Sequence, residues 1–575
     1  MSDRHTRWVL AIVAVGLLLR LDVLATGWVM DDLAQRAMLA GTYPVARAPW
    51  DLFRFVDGSP AEVAALQASG SLPWWSDPEL RLAAMRPLSS ALTWFDFRVL
   101  GDRAALHHAH SLLWWAALAL LLSRLLRRLL PARWALLTLA LWVLDECHAQ
   151  PLAWLANRNA IVAACFAVAA LLAQLRAHER GAWSDHAMVC VSWALALAAG
   201  EYALCAVGIA IAIAATQPRD RPRARALAGM IVALLGWALC HRAWGYGGAH
   251  SAVYVDPLRE PWVWTAAALQ RVPLLLADLG LAIPTGLVAF SPRAAAVQAA
   301  VGVACALALL WLLRARADRL PALRWAVPAT LIALVPVVSA FPSARLLLLA
   351  AIPGHVIVAG LVLEGLGPAP RSWRRSGPWF AALLLIAHVG LASVWGRREL
   401  LDIRHFAAAG DRSALAMPVD DAAAPSQQWI VLAAADPMTL LYPPRVREAH
   451  GHPLPAAWTV LSLAPGPHRL QRTGARTATL TVTGGAMLRG KVEQLFRRPD
   501  RLPAVGSSVT SGALRLVVEA VDDDGFPLRL GLESAVPLDD PSLVFLLATP
   551  QGFVRYPLAR EGTSMIVPPA SAPQP

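Results

Sequence analysis

Two adjacent carboxylates, Asp31 and Asp32, follow the first apolar run of the chain in the sequence W-V-M-D-D-L-A-Q. Acidic residues are common in the first turn of a helix because they interact favourably with its dipole, so a solvated pair that starts a helix is one interpretation. The other is chemical. One carboxylate takes the proton of an acceptor hydroxyl, while the other orients that hydroxyl or holds a metal.

Further polar side chains lie in two turns between apolar runs. The first turn covers residues 148–159 and contributes the candidate substrate contacts His148, Gln150, Trp154 and Arg158. The second turn lies at residues 200–201 and contributes Glu201. One continuous helix over 186–216 would be about 46 Å long and would place this carboxylate in the middle of a core about 30 Å thick. Two spans joined by a tight turn therefore fit better. Ordinary capping and snorkelling is the alternative interpretation of the first turn.

Two arginines stand apart from the other basic residues. Arg86 opens the sequence R-P-L-S-S, and Arg345 directly precedes a late apolar run. The guanidinium fork pairs well with phosphate oxygens, so a lone arginine at the membrane surface is a candidate lipid-phosphate ligand, although most such residues are anchors. His107 and His110 begin an apolar run, but no cysteine or paired carboxylate at ligand spacing lies nearby, so the spacing does not favour a metal site.

The composition places these residues in a membrane protein. The chain has 575 residues, of which 57% are apolar and 16% charged, whereas soluble chains have roughly 45–50% and about 25%. This excludes a disordered protein and an ordinary cytosolic enzyme. The net charge of +12 comes from short arginine clusters between apolar runs, a distribution typical of the positive-inside rule and not of nucleic-acid binding.

The apolar runs predict an α-helical polytopic protein of about eleven spans. The first run, 8–27, is better interpreted as an uncleaved span than as a cleaved signal peptide. Segment 266–290 contains Arg271, Pro273 and Asp278, which favours a re-entrant or interfacial element. If it does not cross, the arginine clusters share one side, so we predict a cytoplasmic N-terminus and an outward C-terminus.

The parts outside the spans have their own organisation. Apolar residues at 88, 91, 92, 95 and 99 predict a helix lying at the interface within the long outward loop 28–106, and Trp50, Trp74, Trp75 and Trp94 suit the same level. Alternating stretches predict a β-rich soluble domain over 428–566, after a linker at 397–427 and before a disordered tail at 567–575. The six cysteines contain no C-x-x-C pair, which favours neither a disulfide framework nor a metal site.

The order of these features resembles the GT-C superfamily of membrane glycosyltransferases. In that family an acidic pair or a single Asp follows the first span, as Asp31 and Asp32 do here. An R-P-L-S stretch and an L-G-x…H…H element come next in the family, and they are similar to Arg86–Ser90 and to Leu100–His110. The family's H-x-E…W-I-x-x-R turn is similar to residues 148–158. Its turn with a small residue followed by Lys-Glu is similar to residues 200–201, and its Glu-Arg pair before a late span is similar to residues 344–345. Gln150 and Ala344 stand where the family has acids. Protein O-mannosyltransferase-like and transmembrane mannosyltransferase-like proteins are the nearest branches, and the resemblance covers residues 1–400.

The resemblance implies an inverting transfer of a hexose or pentose from a polyprenyl-phosphate donor to a glycan, lipid or protein acceptor. Asp31 and Asp32 are then catalytic, and the other candidates contact substrate. No cofactor is certain, and a divalent metal stays open. We expect a bacterial inner membrane with the C-terminal domain in the periplasm. The alternatives are a non-catalytic scaffold or sensor, a transporter of lipid-linked sugars, and a polymerase.

Overall fold

The computed structural model describes residues 3–216, 221–286, 292–367 and 376–572. Its N-terminal part is helical, with the helices α1 Asp3–Leu18, α2 Asp31–Ala40, α3 Pro60–Ser69, α4 Pro87–Val99, α5 Ala104–Leu129, α6 Ala132–Leu144, α7 Ala149–Ala153, α8 Asn159–Arg180, α9 Trp183–Ala199, α10 Leu204–Ala215, α11 Arg221–Ala243, α12 Pro261–Leu281, α13 Pro292–Arg316, α14 Leu323–Val337, α15 Ala351–Leu366, α16 Gly377–Leu385 and α17 Ala392–Leu415. A π-helical turn, Ile386–Leu391, joins the last two.

Six helical segments of the described chain are long and apolar enough to cross a membrane, and four shorter apolar helices accompany them. The chain is therefore an integral membrane protein, because roughly 20 apolar residues per helix span the hydrocarbon core. The predicted number of eleven spans is not confirmed. Arg219 and the cluster at 371–375, which contributed to the predicted orientation, lie outside the described residues.

The C-terminal part contains the predicted strands. Its elements are β4 Gln428–Val431, α18 Pro437–Leu441, α19 Pro443–Ala449, β5 Ala457–Val460, β6 His468–Arg472, β7 Thr477–Val482, α20 Lys491–Phe496, β8 Ser508–Ser511, β9 Leu514–Val521, β10 Pro527–Ser534, β11 Leu543–Thr549, β12 Gly552–Arg555 and β13 Ser564–Val567. The three strands that precede them in sequence, β1 Arg54–Asp57, β2 Arg81–Ala83 and β3 Gly247–Ala249, form a small sheet of their own in the N-terminal part.

Two sheets build the C-terminal domain. One is antiparallel with the strand order β13-β6-β7-β10-β9-β8, and β7 alternates exposed and buried residues, as expected for a sheet with one solvated face. The other has the order β12-β11-β4-β5, with β4 parallel to both of its neighbours and buried along its length. The predicted β-rich domain is thereby confirmed as a region of β-sheet.

The first loop and the C-terminal domain share one hydrophobic core. Trp74 and Trp75 are 4% and 1% exposed and pack in the same cluster as Trp429 and Trp458, and Trp74 Nε1 donates to the Leu461 carbonyl at 3.0 Å. Our placement of Trp74 and Trp75 at the membrane interface is therefore wrong. Burial against the distant sheet removes more of their apolar surface from water than an interfacial position would.

Helix α4 forms where the apolar spacing predicted a helix, and it has an inverted polarity. Its apolar side chains Trp94 and Val99 are 41% and 62% exposed, whereas its polar residues Ser89, Thr93 and Asp96 are buried. A helix with this pattern packs its polar face on protein and leaves its apolar face for lipid. This orientation points Asp96 into the molecule.

Helix α12 occupies most of the segment predicted as re-entrant or interfacial. At its middle, Arg271 Nη1 donates to the Val338 and Ala340 carbonyls just after α14. Near its end, Asp278 interacts with Glu146, just beyond α6. Helix α17 continues through the first 19 residues of the predicted linker, 397–415, so the connection to the C-terminal domain is largely a helix.

Candidate functional site

The two adjacent carboxylates have different surroundings. Asp32 is 3% exposed and accepts hydrogen bonds from the backbone N–H groups of Val29 at 2.9 Å and Ala156 at 2.6 Å. Asp31 is half-buried and accepts a hydrogen bond from the Tyr442 hydroxyl at 2.9 Å. Asp32 therefore joins the start of α2 to the polar turn, while Asp31 faces the C-terminal domain.

The backbone in front of the pair is strained. Met30 has φ 44°, a left-handed conformation that is costly for a residue with a side chain. Burial raises the pKa of Asp31, partly offset by the Tyr442 hydrogen bond and by the charges of Arg345 and Arg86. Burial also raises the pKa of Asp32, to about 7, against its backbone hydrogen bonds. Asp31 is therefore a more basic carboxylate than a free aspartate.

Asp31 belongs to a group of charged and phenolic side chains that we call the acceptor pocket, made of Asp31, Arg86, Glu201, Tyr202 and Arg345. Arg86 Nε donates to Glu201 Oε2 at 2.8 Å. The charges of Arg86 and Arg345 act on both Asp31 and Tyr202. The turn after α9 places Glu201 and Tyr202, the start of α4 places Arg86, and the segment before α15 places Arg345.

Arg345 differs from Arg86 in that no described residue accepts a hydrogen bond from its Nε. Its guanidinium carbon lies 5.0 Å from the centroid of the Trp154 ring, and its buried Nε has no hydrogen-bond partner among the described residues. A buried N–H donor without an acceptor costs about 1–3 kcal/mol. The geometry therefore leaves Arg345 positioned by an aromatic ring and ready to bind an anion.

Gln150 lies beside a carboxylate, although residues 147–159 of the sequence contain no Asp or Glu. Its Nε2 donates to Glu399 Oε1 at 2.6 Å, and the charge of Arg345 acts on Glu399. Glu399 comes from α17, 249 residues away in sequence. The acidic group expected in the turn is thus supplied by a different helix.

Behind the pocket lies a second group that we call the Asp96 cluster, made of Asp96, His110, Trp114 and Arg158. His110 Nδ1 donates to Asp96 Oδ1 at 2.7 Å, and Trp114 Nε1 donates to His110 Nε2 at 2.9 Å. Arg158 pairs with the other oxygen of Asp96. Burial opposes ionisation, but these partners outweigh it and lower the pKa of Asp96. His110 and Arg158 therefore join α5 and the start of α8 to α4 through Asp96. Their contact with a substrate stays a prediction.

The other predicted histidines have protein partners as well. His148 is fully buried, with Nε2 2.6 Å from the Trp142 carbonyl and Nδ1 3.1 Å from Trp115 Nε1. His107 packs edge-on against the stacked rings of Trp28 and Phe97, and its Nε2 donates to the Gly101 carbonyl at 2.9 Å. Both rings are therefore held by protein partners and belong to the scaffold around the acceptor pocket.

Two groups of the described residues have ligand atoms close enough for a metal ion. One is Asp145, His355 and His388, and the other is Asp77, Glu79 and His250. In the second group Arg501 pairs with both carboxylates, at 2.8 and 2.9 Å, so half of their negative charge is already neutralised. Neither group includes a residue that we predicted for the site.

Four residues of this region were not found by sequence reasoning. Tyr442 and Glu399 come from distant parts of the chain, so no local pattern indicates them. Tyr202 follows Glu201 directly and could have been found as a hydroxyl in the same turn. Asp96 could have been found as the one carboxylate in a helix with a polar face of Ser, Thr and Asp at i, i+4 and i+7 spacing.

Comparison with known proteins gives structural likenesses at low sequence identity. No protein-family model and no curated protein matches the chain. The archaeal oligosaccharyltransferase of Archaeoglobus fulgidus is similar over 80% of this chain and 65% of its own, with 11% identity and a TM-score of 0.41. ArnT from Cupriavidus metallidurans, solved with undecaprenyl phosphate, is similar over 78% and 85%, with 13% identity and a TM-score of 0.34.

A third similar structure is the mycobacterial arabinofuranosyltransferase AftD, with 15% identity and a TM-score of 0.38. It is similar over 93% of this chain and 40% of its own. The chain thus spans about two thirds of the archaeal enzyme's length and less than half of AftD. The predicted mannosyltransferase-like branch is not confirmed.

Proposed function

We propose that this chain is a membrane glycosyltransferase that transfers a sugar from a polyprenyl-phosphate donor to an acceptor hydroxyl. The observation that carries the proposal is the juxtaposition of a basic carboxylate, Asp31, with Arg345, whose buried Nε has no acceptor among the described residues. A transfer of this kind needs a base for the acceptor proton and a cation for the leaving phosphate.

The chemistry assigns one role to each group. Asp31 takes the acceptor proton as the acceptor oxygen forms a bond to the anomeric carbon, and the bond from that carbon to the phosphate oxygen breaks. Arg345, with Arg86 nearby, stabilises the charge that develops on the departing lipid phosphate. One displacement inverts the anomeric configuration, and no glycosyl-enzyme intermediate forms.

The remaining candidates position these groups. Asp32 holds the start of α2 on the polar turn through its backbone hydrogen bonds. Trp154 stacks on Arg345, and Gln150 links the turn to Glu399. Tyr442 extends from the C-terminal domain to Asp31, so we propose that this domain borders the acceptor entrance. Glycan, lipid and protein acceptors all offer the required hydroxyl.

The test is turnover by membranes that carry the full chain. A panel of undecaprenyl-phosphate hexoses and pentoses is supplied, and release of undecaprenyl phosphate is measured. We expect Asp31→Asn to lower release by about 10²–10⁴-fold, the usual contribution of a general base. Asp523→Asn, an exposed carboxylate of the C-terminal domain, is the matched control and keeps the wild-type rate.

Equal rates for wild type and Asp31→Asn would contradict the proposal. Binding of undecaprenyl phosphate by both proteins without turnover of any donor would instead favour the non-catalytic scaffold or sensor. Movement of intact donor across a sealed vesicle membrane would favour the transporter. Each of these outcomes rejects the assignment of Asp31 as the base.

A further inference from the structure

A buried group of metal-ligating side chains lies apart from the acceptor pocket, and we call it the His-Asp group. Asp145 follows α6, His355 lies in α15, and His388 lies in the π-helical turn before α17. One ligand atom from each lies within 4.8 Å of the other two. Both imidazoles are almost fully buried, at 2% and 1% exposure.

The hydrogen bonds of the histidines leave lone pairs available to a metal. His388 Nε2 lies 3.1 Å from the Gly280 carbonyl, which can only accept, so Nε2 carries the proton and Nδ1 keeps its lone pair. Nδ1 has no partner among the described residues. A metal-binding histidine typically donates its other ring N–H to a carbonyl or carboxylate in this way.

The second histidine, His355, also has a ring nitrogen close to the Asp145 carboxylate. His355 Nε2 lies 3.2 Å from Asp145 Oδ2, and its Nδ1 is also buried without a partner among the described residues. Two ligands about 2.0–2.2 Å from a tetrahedral zinc ion are separated by a similar distance. The other oxygen of Asp145 accepts the Cys147 backbone N–H at 2.9 Å, which fixes the carboxylate.

Several acidic side chains lie around the His-Asp group. Glu146 and Asp278 interact with each other and with Asp145, and Glu399 acts on both of them. Glu146 Oε1 and Asp278 Oδ2 are buried without partners among the described residues. Arg20 is the cation that faces Asp145, and Arg345 acts on Glu399. The His-Asp group thus lies among buried carboxyl groups, whose oxygens are a ligand type that zinc accepts beside imidazole.

Two further features suit a built site. A π-helical turn replaces one α-helical turn at His388, and such turns occur frequently at functional sites. A cavity of about 30 Å³ borders Asp145 and is lined by Arg20, Ser393, Gly396 and Arg397 among others. The cavity leaves space beside Asp145.

We propose that Asp145, His355 and His388 bind one divalent transition-metal ion of the zinc class. Imidazole ligands suit zinc and its neighbours, whereas Mg²⁺ and Ca²⁺ prefer oxygen ligands. The ion ties the end of α6 to α15 and to the π-helical turn. These elements carry the polar turn and the segment with Arg345, so the metal holds the scaffold of the acceptor pocket without touching the transferred sugar.

The test measures metal in the full chain, purified in nanodiscs with a tag that contains no histidine. After exposure to Zn²⁺ and removal of free ion, we expect about one Zn²⁺ per chain by mass spectrometry. His355→Ala and His388→Gln each lower the retained zinc by at least about ten-fold, because even changes beyond the ligands cost about 10–100-fold in affinity. His405→Ala, an exposed histidine of α17, keeps the wild-type content.

A second measurement keeps the proposal open to rejection if a variant folds poorly. Co²⁺ added to the wild-type chain gives the strong visible absorption of a tetrahedral site, and Zn²⁺ added afterwards removes it. Folded wild-type chain that retains no zinc and gives no cobalt spectrum would overturn the proposal. So would His355→Ala and His388→Gln variants that retain as much zinc as His405→Ala.

Discussion

The acceptor pocket and the Asp96 cluster each involve a residue of the turn 148–159, Trp154 and Arg158 respectively, and they differ in how their charges are paired. In the cluster, Asp96 accepts from His110 and pairs with Arg158. In the pocket, Arg345 has an aromatic ring but no acceptor for its Nε among the described residues, and Asp31 has one phenol. Saturated charges hold a structure, whereas unsaturated ones are available to a ligand.

Breaking the cluster gives the largest expected effect on stability. Asp96 and Arg158 are 0% and 4% exposed, so Asp96→Asn leaves a buried guanidinium without its counter-charge and costs about 3–5 kcal/mol. Unfolding in detergent measures this loss. The control is Asp102→Asn, which removes an exposed partner of Arg36 and costs at most about 1 kcal/mol. Equal losses for the two variants would contradict the distinction between cluster and surface.

Breaking the pocket affects ligand binding and not folding. We expect Arg345→Ala to weaken binding of undecaprenyl phosphate by about 10–100-fold, the value of one or two charge-assisted hydrogen bonds. Its thermal unfolding stays within a few degrees of wild type because, in the part of the chain that the structure describes, Arg345 Nε has no acceptor to lose. Arg398→Ala, an exposed arginine of α17, is the control. Unchanged lipid affinity in Arg345→Ala would refute the role of this arginine.

The pH dependence of turnover sharpens the role of Tyr442. Asp31 must be deprotonated to act as a base, so turnover falls as the pH drops through its pKa. The Tyr442 hydrogen bond lowers that pKa, so Tyr442→Phe raises it and moves the acid limb to higher pH by about half to one unit. The rate above the limb changes little. Tyr556→Phe keeps the wild-type profile, and a shift to lower pH in Tyr442→Phe would contradict the assignment.

The smallest expected effect lies between the first loop and the C-terminal domain. Arg501 is 40% exposed and pairs with Asp77 and Glu79, and the shared hydrophobic core holds the same contact. Asp77 is itself 1% exposed, but without Arg501 it keeps the hydrogen bond from the Glu79 backbone N–H and the nearby charge of Arg497. Arg501→Ala therefore lowers the free energy of unfolding by only about 1 kcal/mol. Leu66→Ala, in that core, costs about 2–5 kcal/mol. A larger loss from Arg501→Ala than from Leu66→Ala would reverse this order.

The sequence predicted local features better than distant ones. Apolar runs predicted the membrane helices, and helical spacing predicted α4, because both depend on neighbouring residues. Alternation predicted the sheets of the C-terminal domain for the same reason. The interfacial placement of Trp74 and Trp75 failed because the core that buries them is almost four hundred residues away.

The division of work between Asp31 and Asp32 was also beyond the sequence. Both residues have the same chemistry and the same local setting, and they differ in what the fold brings to them. Asp32 meets backbone N–H groups of the polar turn, whereas Asp31 meets Tyr442 from 411 residues away. Glu399 beside Gln150 is a further case, since a carboxylate from α17 supplies what the turn itself lacks.

The most direct test is the structure of the chain in nanodiscs with undecaprenyl phosphate bound. The account predicts phosphate oxygens about 2.7–2.9 Å from the guanidinium of Arg345, on the side of the helices that carries the C-terminal domain, with Asp31 facing the same space. A phosphate bound away from Arg345, or on the opposite side of the membrane helices, would contradict it.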